Sequence, residues 1–224
     1  MRSFNIFIFS ILFCCNVYGY SREWALKGGV GLANNLVDSL FDKDDYFLGA
    51  GFNTQYGYRY NKWEFNFTSY IFLGSIDTIR VNANSSEIEG KGFYRRASFG
   101  PIAKYITDWK YKKNWRYYFF GGPIWSLQTV KFDEFQVISG TFKKDYKLTY
   151  KSKGFVIGLG IEEQLPYKEM HAVFIEILYT YLKAYKISVV DATDFAEVET
   201  LSTERTGQRI LDQVIMINMG LTIF

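Results

Sequence analysis

Along most of the chain, apolar residues recur at every second position. A period of two marks strands with two unlike faces. Tyr46 to Tyr60 shows it best: Tyr46, Leu48, Ala50, Phe52, Thr54, Tyr56, Tyr58 and Tyr60 share one parity. Gly49, Gly51, Asn53, Gln55, Gly57 and Arg59 share the other. Trp24 opens a similar segment, with Leu26, Val30 and Leu32 in phase. Another runs from Trp63 to about Phe72, with Trp63, Phe65 and Phe67 opposite Glu64, Asn66 and Thr68. Further segments alternate from Trp115, from Phe155, from about Met170 to Tyr185, and from about Ile210 to Phe224. The fourth strand is predicted from about Phe93 to Ile106. It carries Arg95 and Arg96 in succession, so one of the two is placed above the apolar zone. Gly-Pro-Ile occurs in both the fourth and fifth strands, at 100–102 and 122–124. Proline lacks a ladder donor, so local bulges are expected there.

The connections alternate in length. Long ones are expected at about 34–45, 73–91, 130–152 and 186–209, and short ones at Asn61-Lys62, 107–114 and 165–168. Ser139-Gly140 is the expected turn between strand extensions in the third long connection. Aromatics gather at the short turns: Tyr58, Tyr60 and Trp63, then Tyr105, Trp109 and Trp115, then Tyr167. In a soluble sheet the apolar face would point to a shared core. Here the opposite face is rich in glycine and polar residues, which suits a narrow barrel interior with the apolar face toward lipid. The fold class is therefore all-β: a closed antiparallel up-and-down transmembrane barrel of eight strands, with long extracellular loops and short periplasmic turns.

The first residues are a targeting segment, excluded from fold reasoning. Arg2 is the only charge before Arg22, and an apolar run from Phe4 to Cys15 precedes Val17-Tyr18-Gly19. The run is too short for a membrane-spanning helix. Cleavage is expected after Gly19, giving a signal peptide at 1–19 and one barrel domain at 20–224. A lipoprotein reading on Cys14 or Cys15 is the rival, opposed by bulky Phe13. Cleavage after Gly19 removes both cysteines, and with them any disulfide or thiol ligand. Aromatics make up 20% of the chain, a proportion that suits interfacial belts. The net charge of +3 supplies no strong field for nucleic acid.

On this pattern the chain resembles the small eight-stranded outer-membrane barrels of the OmpA/OmpX type. The resemblance covers the whole expected mature chain. It implies the outer membrane of a Gram-negative bacterium, a monomer, and partners in outer-membrane lipid and lipopolysaccharide. It also implies recognition by the barrel-assembly machinery through a terminal aromatic, which Phe224 matches. Phe224 departs from the family in phase, falling with Gly220 and Asn218 rather than with the outward set, for which a bulge or another register would account.

Eight strands enclose a space that side chains just fill. Lys27, Arg59, Glu64, Lys104, Arg116, Glu162, Glu176 and Asp212 are the candidate interior charges. Unpaired charge in a dry lumen is costly, so an ion-pair network is expected. The expected role is structural or surface-interacting, with loops exposed outside and a plugged lumen. The alternatives are a narrow porin-like solute channel or lipid-binding transport barrel and, third, a lipid A-modifying barrel enzyme. Barrel enzymes resembling this chain pair a His with a Ser at the outer rim. The single His171 follows the Pro166 turn with no serine suitably placed, so no catalytic residue is expected. No cofactor is expected either. The first loop holds Asp38, Asp42, Asp44 and Asp45 without the glycine-containing spacing of a dedicated calcium loop, so no metal site is expected. Lys143, Lys144, Lys147, Lys151 and Lys153 are candidates for lipopolysaccharide phosphates, against a plain solvated hairpin. The last loop, with Asp191, Asp194, Glu197, Glu199 and Glu204, is acidic.

Overall fold

The computed structural model describes residues 24–38, 46–60, 62–83, 86–112, 114–139, 146–163, 172–191, 197–201 and 211–223. The leader, the Pro166 turn and His171 lie outside the described residues, as do Asp42, Asp44, Asp45, Gly140, Lys143, Lys144, Asp194, Glu204 and Phe224. The strands are β1 (Trp24–Asp38), β2 (Tyr46–Tyr60), β3 (Trp63–Ala83), β4 (Ser86–Lys112), β5 (Trp115–Ser139), β6 (Tyr146–Glu163), β7 (Ala172–Asp191), β8 (Glu197–Leu201) and β9 (Leu211–Ile223). Each of β1 to β7 pairs antiparallel with the next, β7 pairs with β9, and β9 returns to β1. Eight strands thus close a ring among the described residues, and no edge is left in it. The short β8 stands outside that ring, paired only to the far end of β7.

Parity decides which face is which. On β3, Trp63, Phe65 and Phe67 are exposed on the outer wall, while Glu64, Asn66 and Thr68 are buried. The same division runs round the ring: Val30, Phe52, Ile157, Ile177 and Ile217 are about half exposed outside. The inner layer is filled by Tyr70, Phe72, Tyr118, Phe120, Leu178 and Met216. Inward glycines let large neighbours in. A Cβ on Gly160 would lie 2.5 Å from the Tyr118 ring, and one on Gly158 would lie 2.3 Å from that of Phe120.

At the short-turn end, exposed aromatics stack along the outer wall. Trp24 and Tyr56 lie 5.2 Å apart, Trp63 and Tyr105 lie 5.0 Å apart, and Trp109 meets Phe119 edge-on at 6.2 Å. Such rings carry an apolar body with a polar tip, the combination favoured where hydrocarbon gives way to water.

The structure departs from the sequence reading in several places, and β1 and β4 run on to Asp38 and Lys112, into connections expected from 34 and 107. β3 and β4 do not stop at Phe72 and Phe93 but stay paired out to Ala83 opposite Ser86, so the expected long loop is largely a hairpin extension. The last long connection contains β8, where only a loop was expected. No bulge forms at the Gly-Pro-Ile segments. Phe99 faces Trp125 and Ala103 faces Gly121 in one unbroken register, and only the bridges between them are missing. The nearest shifts on β4 and β5 lie elsewhere, between Ile106 and Lys110 and between Lys91 and Gly92. Finally, β9 alternates regularly to Ile223 with no register shift against β1 or β7, so no bulge changes phase before the terminal residue.

Candidate functional site

The lumen near the short-turn end holds most of the interior charge. The tight turn after Tyr60 sets Arg59 directly across from Glu64, and the next seam sets Glu64 across from Lys104. Three neighbouring strands therefore carry a cation, an anion and a cation in one row. Lys27 joins from β1, the neighbour of β2, and Glu162 joins from β6 across the ring. Lys27 Nζ lies 2.5 Å from Glu162 Oε2 and 2.9 Å from Glu64 Oε1. Arg59 pairs with both carboxylates, reaching Glu162 Oε1 at 2.5 Å. Lys104 Nζ stands 3.5 Å from each carboxylate and 3.9 Å above the centre of the Tyr118 ring. All but Arg59 are fully buried. Because β2 and β6 lie on opposite sides of the eight-stranded ring, the Arg59–Glu162 pair spans the bore.

Glu176 is held differently. Its Oε1 accepts from Gln55 Nε2 at 3.0 Å, Asn218 Nδ2 at 3.1 Å and Asn53 Nδ2 at 3.4 Å, and its Oε2 accepts from the Tyr118 hydroxyl at 3.2 Å. Four neutral donors from three strands, β2, β5 and β9, converge on one carboxylate. Lys27, Arg59 and Lys104 stand against Glu64, Glu162 and Glu176, so the two groups together balance in charge. Desolvation of each ion is thereby offset at short range.

The amides that serve Glu176 dictate where glycine sits. Asn53 faces Gly29 across one seam, and Asn218 faces Gly31 across another. A Cβ on Gly31 would come within 2.0 Å of Asn218 Oδ1, and one on Gly29 within 2.8 Å of Asn53 Oδ1.

Of the eight predicted interior charges, the structure brings together Lys27, Arg59, Glu64, Lys104 and Glu162, and places Glu176 beside them. Arg116 is not in this cluster. It lies half-buried at the short-turn mouth, where its charge acts on Lys62 and Asp108. There water is available and a charge needs no internal partner. Asp212 pairs in register with Leu182 and Val37, and its side chain lies outside the described set. At that mouth the exposed Lys62 and Asp108 form an ion pair. The hydrogen bond from Lys62 holds the Asp108 carboxyl below its ordinary value and raises the Lys62 ammonium.

Sequence reading did not assign Asn53, Gln55, Asn218 and Tyr118 to Glu176, although their parity already placed them inward. It placed one of the two arginines of β4 above the apolar zone without saying which, and did not assign the other. Arg96 turns inward, fully buried, with Nε donating to Ser98 Oγ at 3.1 Å, and Ser98 Oγ donating on to Ser126 Oγ at 3.0 Å; Arg95 turns outward. Among the described residues no group of three or more His, Cys, Asp or Glu is placed to hold a metal ion.

No protein-family model matches the chain, and no curated protein matches it in sequence. Solved structures do match in shape. Neisserial surface protein A is 14% identical at a TM-score of 0.50, covering 89% of this chain and 96% of its own. This chain has the fold of the small eight-stranded outer-membrane β-barrels. The outer membrane protein OprG of Pseudomonas aeruginosa is 13% identical at a TM-score of 0.47, over 90% of this chain and 95% of its own. The outer membrane protease OmpT of Escherichia coli is 7% identical at 0.40, over 90% and 96%. A barrel wall of this kind does not by itself select an activity.

Proposed function

We propose that the protein is an outer-membrane barrel that anchors surface-exposed hairpins and passes no solute. The observation that carries this reading is the Arg59–Glu162 pair, which joins opposite walls within a cluster whose other charges are buried. A path for ions would have to break several short charge-assisted contacts in a space without bulk water. The apolar outer wall supports a lipid environment, because an exposed apolar band of this extent is not tolerated in water. The contrast between the tight turn after Tyr60 and the hairpin extended to Ala83 at the other end supports the assignment of the short turns to the periplasm and of the extended hairpins to the cell surface. On this reading the barrel is a monomer without catalytic activity or cofactor, assembled through its last strand. Its partners are outer-membrane lipid, lipopolysaccharide and whatever meets the hairpins outside.

Planar-bilayer recording on the purified full chain tests the closed lumen. The expected trace is silent, and steady conductance steps would overturn the reading. Electrophoresis of outer-membrane fractions with and without boiling tests the anchoring. A closed barrel shifts in migration on heating, and a chain found in soluble fractions with no shift would count against it. His171→Ala is expected to leave lipid A composition unchanged.

A further inference from the structure

Two bulges stand at one level of the wall, on either side of β4. On β3 the register shifts between Ile76 and Ile79, where three steps along β3 match two along β4. On β5 it shifts between Phe132 and Glu134, opposite Gly92 and Lys91. β4 itself alternates from Phe99 to Ile88 without an extra residue. One extra residue sends everything beyond it to the other face of the sheet. Leu73 on β3 and Leu127 on β5 face outward, and Ile79, Val81, Phe135 and Val137 share their odd parity. Without the bulges these four positions would continue the outer wall. With them, Val81 and Val137 flank Ile88, and Ile79 and Phe135 flank Gly90, in phase with the buried Tyr94 and Arg96 of the lumen. Arg80 and Gln136 correspondingly flank Glu89 on the outer face, and Glu134 stands opposite Lys91 there.

The level of the bulges is that of the far interface. Ten residues separate Trp63 from Leu73 on β3 and Tyr105 from Arg95 on β4, and both pairs face outward. At roughly 3.3 Å per residue and a tilt of roughly 40°, ten residues climb about 25 Å, the height of a barrel's apolar band. Leu73 and Arg95 therefore sit level with the second interface, and the shifts come just above them. Below that level apolar positions look outward. Above it the outer face of β3 to β5 carries the charges and the lumen face carries the apolar row, the arrangement of a sheet with one face in water. The interior is already dry at this height, with Val130 0%, Tyr94 1% and Tyr150 3% exposed. Leu148 stands in register between Val130 and Val189 and takes the apolar row on to β6 and β7. Charge reaches that face on β7 and β8, at Asp191 and Glu199.

We propose that the extended hairpins form a rigid upper tier of the barrel, standing in water outside the membrane. Its lumen-face row of Ile79, Val81, Ile88, Phe135 and Val137 closes into a water-excluding core over the plugged mouth. The paired bulges are the device that inverts the wall where lipid gives way to water. A partner outside then meets a preformed sheet face carrying Arg80, Glu89, Lys91 and Glu134, and no segment has to be ordered first. The proposal rests on the membrane-anchored reading above and says what the anchored hairpins present.

The test is cysteine labelling on intact cells producing the full chain, with Cys14→Ala and Cys15→Ala as the background. Arg80→Cys, Glu89→Cys and Gln136→Cys read the outer face; Val81→Cys, Ile88→Cys and Val137→Cys read the lumen face one residue further along each strand or one before it. A membrane-impermeant maleimide is expected to modify the first set about tenfold faster than the second, because a packed position reacts only on local opening. Both sets are expected to label alike once the chain is unfolded in urea. Each variant is compared only where it keeps the heat-dependent shift of a closed barrel, and three strands per face keep the comparison decisive if one variant fails to fold. Equal rates for the two sets in the folded chain, or the reverse order, would overturn the proposal. Labelling of the outer-face set only after the outer membrane is permeabilised would instead overturn the surface assignment beneath it.

Discussion

Pro101 on β4 stands directly opposite Pro123 on β5, with both rings on the outer wall. The β3–β4 ladder runs unbroken through Pro101, whereas the β4–β5 ladder loses its bridges only between Phe99–Trp125 and Ala103–Gly121. Both missing donors therefore belong to the same seam, at a position where two residues would exchange hydrogen bonds. One proline alone would leave its partner's carbonyl without a donor, while the partner's N–H could still donate to the proline's carbonyl. Two facing prolines remove both donors and leave only two carbonyls. Each carbonyl rests against a glycine of the other strand: a Cβ on Gly100 would lie 2.2 Å from Pro123 O, and one on Gly122 would lie 2.1 Å from Pro101 O.

The double variant Pro101→Ala, Pro123→Ala supplies two donors to those carbonyls. Two new hydrogen bonds gain about 0.5–1.5 kcal/mol each. Losing the proline restriction on the unfolded chain costs about 0.4–1 kcal/mol each. Stability should stay within about 1 kcal/mol, while the new amides at 101 and 123 exchange as slowly as their neighbours in hydrogen-exchange NMR. Rapid exchange there would show that something other than the prolines keeps the seam unpaired. Gly100→Val should instead lose about 3 kcal/mol or more by overpacking, because the opposing atom is backbone.

In the lumen, Lys27→Met leaves Glu162 and Glu64 short of a buried partner, at a cost of about 3–5 kcal/mol. Glu162→Gln should cost a similar amount, since it also strips Arg59 and Lys104. The double variant should cost clearly less than the sum. Denaturant unfolding of all four proteins measures that coupling, and strict additivity would mean that the two groups do not interact.

Gly31 and Gly28 offer a matched pair on one strand. A Cβ at Gly31 meets Asn218 Oδ1 at 2.0 Å and Ile217 O at 3.0 Å, whereas one at Gly28 meets nothing within 4 Å. Gly31→Ala should disturb the amide that serves Glu176 and lower stability by about 1–3 kcal/mol. Gly28→Ala should be neutral, or stabilising by up to about 1 kcal/mol through the unfolded state. Equal effects at the two positions, measured by the same unfolding assay, would deny the Asn218 packing.

Parity alone made much of this legible. It placed Lys27, Arg59, Glu64, Lys104 and Glu162 inward, and the tight turn after Tyr60 nearly dictated that Arg59 and Glu64 would meet. What parity cannot supply is the height at which distant strands stand once the ring closes. Lys27 and Glu162 are 135 residues apart, and their contact depends on the stagger of the whole barrel. Arg116 stands directly opposite Glu162 across the β5–β6 seam, so register as well as parity points to a cluster that its side chain does not join. The Gly-Pro-Ile segments misled for another reason: the bulge expectation treats each proline alone, and only pairing shows that both missing donors fall in one seam without shifting the register. The carboxylate of Glu176 was visible, but its neutral donors come from β2, β5 and β9, and sequence separation conceals such convergence.

The outer wall gives the sharpest discrimination between a lipid-solvated barrel and a water-soluble one. Val30 is 62% exposed and lies six residues above Trp24 on β1, roughly 15 Å up the wall and so near the middle of a band about 25 Å tall. In lipid, Val30→Lys should cost about 2–4 kcal/mol, whereas Leu73→Lys at the far interface should cost about 0–1 kcal/mol. In water neither substitution would be penalised, because both side chains already stand in solvent. Unfolding in phosphatidylcholine vesicles measures the difference. A large gap between the two variants requires hydrocarbon against Val30, and equal tolerance would leave the apolar wall without its lipid.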